Sequence, residues 1–108
     1  MTQSELYSIK IFKLNPDSEE FDEIDIRGKQ LFETFDTKSV LLFVDPILST
    51  IWLWHGKESN VRMKFIAAQK ASSVRDKYIF DAKINAIEEG NEPDSFKKFL
   101  GLYNRENE

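Results

Sequence analysis

The side chains that do chemistry are sparse in this chain, and their spacing argues for recognition in place of reaction. Of 108 residues one is histidine and none is cysteine, which removes disulfides, thiolate metal ligands and cysteine nucleophiles together. His55 stands alone after the apolar run Thr50-Ile51-Trp52-Leu53-Trp54, and a lone imidazole with no partner motif reads as a structural side chain. Gly28, Gly56, Gly90 and Gly101 are scattered singly, so no glycine-rich phosphate loop is readable. Gly-x-Ser-x-Gly is absent as well. The expectation is a binding module, not an enzyme.

One pattern does carry recognition chemistry. Residues 60–78 contain neither Gly nor Pro, and placing them 100° apart on a helical wheel separates two apolar sectors. Met63, Ala67, Ala71, Val74 and Tyr78 share one sector, which is assigned to a sheet. Val61, Phe65, Ala68 and Ser72 form a second stripe, with Arg75 near its edge and Asp76 beside it. Two readings follow. The apolar sector is merely wide and Phe65 tucks against the sheet margin, or the helix docks in a partner's cleft. In the docking reading Phe65 is the anchor, Ala68 and Ser72 permit close approach, and Arg75 and Asp76 form the polar end.

The elements that must hold this helix are legible around it. Leu6 to Leu14 alternates as a half-buried strand, and Asn15-Pro16-Asp17 turns the chain. The acidic stretch Asp17–Asp25 is expected to be a solvated loop, a short edge strand being the lesser alternative. Val40–Val44 is apolar throughout, which predicts a strand covered on both faces. Thr50–Trp54 is its antiparallel partner across a short connection. Trp52, Trp54, Phe12 and Phe43 are assigned to core. Asp81–Ile87 alternates as a further strand with Ala82, Ile84 and Ala86 on one side. Pro93 then opens a short helix, Asp94 to Leu100, stopped by Gly101. Two helices, one per face, make an α+β helix–sheet–helix sandwich.

Composition fits one soluble domain over residues 1–108, with a polar tail from about 103: 41% of residues are hydrophobic and 31% charged. No apolar run approaches the roughly 20 residues that span a bilayer. The amino terminus shows no secretory signal, so a cytoplasmic location and no membrane insertion are expected. A net charge of -4 disfavours nucleic acid as a partner.

Particular segments within this arrangement resemble the gelsolin-like domain of the gelsolin and villin family. The strand Ser39-Val40-Leu41-Leu42-Phe43-Val44-Asp45 leads to Ile51-Trp52-Leu53-Trp54-His55-Gly56-Lys57-Glu58-Ser59, similar to the family's aromatic strand ending in Trp-x-Gly-Lys. The long helix matches at Lys64, Ala67, Ala68 and Ala71. Gly90-Asn91-Glu92-Pro93-Asp94-Ser95-Phe96 is similar to the Gly-x-Glu-Pro-x-x-Phe segment that opens the family's second helix. The likeness covers roughly residues 35 to 102. It implies a five- or six-stranded mixed sheet between one long and one short helix. It also implies actin binding, as monomer or filament end, through the long helix, with Val61, Phe65, Ala68, Ser72, Arg75 and Asp76 as contacts. Single domains of this type also occur as stand-alone archaeal proteins.

Two departures shape what the resemblance implies. The family's intramolecular calcium site draws on a Gly-Asp pair and a helix Glu, whose places are taken here by Lys38-Ser39 and Met63. A thioether and a neutral hydroxyl are poor ligands for a hard cation, so no cofactor is expected to be required. Calcium shared at an interface through Asp76 is a weaker expectation. Severing in the family generally needs more than one domain. Capping, sequestering or weak severing by a monomer is therefore expected. The alternative keeps the fold and drops actin: an interaction adaptor for a partner such as a small GTPase or coat subunit.

Overall fold

The computed structural model describes residues 9–25 and 31–106. Five strands form one mixed sheet in the order β2-β1-β3-β4-β5: β1 (Lys10–Asn15), β2 (Glu20–Ile24), β3 (Val40–Asp45), β4 (Thr50–His55) and β5 (Lys83–Glu88). The first four pair antiparallel and β5 lies parallel to β4. The parallel pair requires a crossover, which is the long helix α1 (Val61–Tyr78). A second helix, α2 (Asp94–Glu106), covers the opposite face. The α+β sandwich expected above is the one observed, with five strands among the described residues.

Alternation along the strands sorts the core into two layers. Val40, Leu42, Val44, Ile51 and Leu53 face α1, with Phe12 and Leu14 of β1. Leu41, Phe43, Trp52 and Trp54 face α2, together with Ile11. Every residue of β3 and β4 is buried, as expected of strands covered on both sides. Phe12 therefore fills core, but in the layer opposite Phe43 and the tryptophans. β1 is also covered on both faces, not half-buried as its Tyr7-Ile9-Ile11 alternation suggests; Leu6, Tyr7 and Ser8 lie outside the described residues. In β5, Ile84 packs on the α1 side and Ile87 on the α2 side, while Ala86 is exposed because β5 is an edge.

Two element expectations need correction. Within the acidic stretch the lesser alternative is the one observed: Glu20–Ile24 is an edge strand, paired along β1 from Ile11↔Ile24 to Asn15↔Glu20. Its charges are tolerated because Lys10 meets Glu23 at 3.3 Å and Lys70 of α1 meets Glu20 at 3.3 Å, while Phe21 packs on the α1 core. The second helix does not stop at Gly101 but runs on to Glu106. A Cβ at Gly101 would meet nothing within 4 Å, so this glycine is an ordinary helical position. Gly56 is the glycine the fold requires, since a Cβ there would lie 2.3 Å from the Thr37 carbonyl oxygen.

Candidate functional site

Asn60 starts α1, its side-chain oxygen accepting from the Met63 N–H at 2.8 Å, which satisfies one of the orphan donors of the first turn. From there the helix is divided lengthwise. Met63, Ile66, Ala67 and Ala71 are buried on the sheet, with Val74 and Tyr78 packed beside them. Ile66 belongs to this face although the wheel had not assigned it.

The two margins of the helix are tied down by ions. Towards β2, the Arg62 guanidinium donates to the Pro16 carbonyl at 3.1 Å and to Glu19 at 2.8 Å, and Lys70 pairs with Glu20. Towards β5, Lys64 approaches Glu88 at 3.5 Å. Glu88 also meets His55 Nδ1 at 2.8 Å. That hydrogen bond, helped by Lys64 and opposed by burial, holds the Glu88 carboxyl below its usual range.

Between these margins the outward face is bare. Val61 is 82% exposed and Phe65 64% exposed, and Ala68 and Asp76 are also exposed. Ser72 and Arg75 are half-buried at the rim; the Ser72 hydroxyl donates to Gln69 O at 3.3 Å, and Arg75 Nε donates to Asp76 at 3.1 Å. The six expected contact residues thus share one side of α1, and Phe65 is not tucked against the sheet. Phe80, just past the helix end, is exposed too. Sequence reasoning passed over it because it lies outside the helical periodicity.

The residues at the family's calcium positions do not suit a hard cation. Met63 directs its thioether into the aliphatic layer under α1. Ser39 is buried, its backbone N–H bonded to Asp36 O and its carbonyl accepting from Gly56 N. Among the described residues no three His, Asp or Glu side chains converge as metal ligands.

The resemblance motifs turn out to brace the fold. Glu92 accepts from the Trp54 indole at 2.8 Å and from the Gly90 N–H at 3.1 Å, while Gly90 takes φ +93°, a conformation that favours glycine. Burial works to raise the Glu92 pKa, but the Trp54 indole and the turn's N–H groups outweigh it and keep the carboxyl low. Glu89 accepts from the Lys57 N–H at 2.8 Å and the Thr37 hydroxyl at 2.7 Å, and these bonds likewise lower it. His55 is buried against Glu88, a structural placement.

A sheet gripped by one helix and presenting the outer face of another defines an α+β domain built to display a helix. No family model matches the chain, and no curated protein matches it. Among solved structures it is similar to a Thorarchaeota protein, ProGel, crystallised in complex with rabbit actin, at 30% identity and a TM-score of 0.73. That match covers 86% of this chain and 99% of ProGel. It is also similar to Thorarchaeota 2DGel3, again in a rabbit actin complex, at 25% identity and a TM-score of 0.61 over 87% of this chain; the chain spans about half (46%) of the 2DGel3 length. The chain belongs to the gelsolin-like family. Among the described residues no helix is long and apolar enough to cross a membrane.

Proposed function

We propose that this protein is an actin-binding regulator that seats the outward stripe of α1 in a cleft on actin, as a monomer acting on actin monomers or filament ends. The observation that carries this reading is the bare stripe itself. Val61 and Phe65 stay in solvent on a helix whose other side is packed and whose margins are paired, in a fold whose relative ProGel was crystallised with actin. Burying an aromatic of this size is worth about 1.5–3 kcal/mol, so Phe65 is suited to be the anchor of a small interface. Ala68 and Ser72, one and two turns further, keep the surface low enough for a partner backbone to approach. One such face caps or sequesters. Binding needs no catalytic group, and a cytoplasmic location follows from actin as partner.

The test is Phe65→Asp, compared with the unchanged protein in actin co-sedimentation and monomer-polymerisation assays, with calcium and with chelator. A charge at the centre of the contact is expected to weaken binding about 30-fold or more, as at other interface hot spots, with the circular dichroism spectrum and melting unchanged. Binding that survives the chelator accords with the poor ligands at Ser39 and Met63. Equal actin binding by Phe65→Asp overturns the reading, and a protein that ignores actin altogether leaves the adaptor alternative.

A further inference from the structure

Five large apolar side chains are exposed among the described residues, and only two of them, Val61 and Phe65, belong to the stripe. The other three are Phe80 at 78%, Leu48 at 52% and Ile47 at 45% exposure. They belong to two turns at the end of the sheet where α1 finishes. β4 and β5 run parallel with Thr50 opposite Lys83, so the β3–β4 turn and the α1–β5 turn lie at the same end of the sheet. A backbone bond from Lys83 N–H to Ser49 O at 3.0 Å joins the two turns.

Both turns are held rigid from within. The buried Asp45 carboxylate accepts from the N–H groups of Ile47 and Leu48 through one oxygen, at 3.0 and 3.1 Å, and from the Trp52 indole through the other, at 3.1 Å. The α1–β5 turn is closed by Ala82 N–H to Ile79 O at 3.0 Å, with Phe80 and Asp81 at its tip. Tips of this kind ordinarily carry Pro, Asn, Asp or Ser. A phenylalanine held there in solvent is a preorganised contact, the arrangement that lowers the ordering cost of binding.

We infer that Phe80, with Leu48 and Ile47, is a second anchor for the same actin molecule that receives α1. This rests on the function proposed above. Two features favour actin over a separate partner. Phe80 lies two residues past Tyr78, the last residue of α1, so the patch sits at the end of the helix that carries the stripe. Val61 and Tyr78 are about 26 Å apart at the helical rise of 1.5 Å per residue, and one interface of ordinary size, roughly 800 Å² per partner, spans that distance. Two large side chains in the first turns of α1 do not by themselves fill such an area; the Phe80 patch supplies the remainder.

The experiment measures actin-monomer affinity for the full chain, Phe65→Asp, Phe80→Ser, Leu48→Ser and Phe80→Trp, with sedimentation velocity of each protein alone. Phe80→Ser is expected to weaken binding about 10-fold, in the hot-spot range, Leu48→Ser by less, and Phe80→Trp hardly at all, all with unchanged melting. Wild-type affinity in Phe80→Ser, while Phe65→Asp has lost binding, overturns the second anchor and leaves the proposed function standing. Loss in Phe80→Ser with no loss in Phe65→Asp supports the patch and overturns the helix stripe instead. A wild-type dimer that Phe80→Ser converts to monomer without changing actin affinity makes the patch a contact between copies of this chain, and also overturns the inference.

Discussion

On the α2 side of the sheet, rings meet rings: Phe43 and Phe96 lie 5.3 Å apart edge to face, and Trp52 and Phe96 are also 5.3 Å apart. On the α1 side, Val40, Leu42, Ile51 and Leu53 meet Met63, Ile66 and two alanines, and a ring pair, Phe12 and Tyr78 at 5.7 Å, sits at the last residue of the helix. The α2 contact is deep, because Phe96 and Phe99 are almost wholly removed from water and edge-to-face pairs add to their burial. The α1 contact is shallow, because alanine brings the helix backbone close to the sheet while burying little area of its own. A helix laid flat on alanines leaves its outer half in solvent. The difference explains how one small domain can have a firm core and still offer a whole helix face to a partner.

Truncating the deep side gives the largest effect. Phe96→Ala removes the ring that Phe43, Trp52 and Phe99 share, and such buried aromatic deletions cost roughly 3–5 kcal/mol. Chemical denaturation should show that loss, and any fall in actin binding should track the unfolded fraction. A loss under about 1 kcal/mol, far below that range, would mean that the aromatic layer is not what fixes the sheet.

The shallow side should respond to added volume more than to removal. Ala71 is fully buried and Ala68, three residues earlier, is exposed. Ala71→Leu should therefore destabilise by about 1–3 kcal/mol through overpacking. Ala68→Leu should leave stability within about 0.5 kcal/mol, as for surface changes generally, yet weaken actin binding by crowding the close approach. Equal thermal shifts in the two variants would contradict the division of α1 into a packed face and a presented face.

How much of this was readable in advance follows the same division. The α1 stripe, the two central strands and the layer order were legible because burial on both faces and a 3.6-residue period leave direct marks in residue type. The strand in the acidic stretch was legible only as the lesser alternative, since Glu20, Asp22 and Glu23 carry little strand signal. Its charges are met by Lys70 of a helix some 50 residues later and by Lys10 of β1, partners that no local pattern reveals. The extension of α2 past Gly101 was masked by a glycine that costs a helix about 1 kcal/mol but does not end it. Phe80 and the Asp45-braced turn belong to irregular segments, where no period exists to expose them. The wheel correctly grouped Val61, Phe65 and Ala68, but whether Phe65 faces solvent depends on where the sheet margin lies.

The smallest effect concerns the ion pairs at the β5 margin of α1. Glu88 joins Lys64 of the helix to His55 of β4, and its carboxyl is held low chiefly by the His55 hydrogen bond, against burial. A depressed folded-state pKa contributes stability above the unfolded value, near 4.3 for Glu, and loses it as pH falls through the folded value. The side chain is half exposed, so the contribution is under about 1 kcal/mol and screened by salt. Glu88→Gln should accordingly lower stability slightly at neutral pH and at low ionic strength, and make the curve flatter below about pH 4.3. If the variant instead matches the parent from pH 7 to pH 3, Glu88 contributes nothing measurable to the margin. α1 would then be held on the sheet by its aliphatic layer and the Arg62 and Lys70 pairs, and its β5 side would be free to shift when a partner takes the outer face.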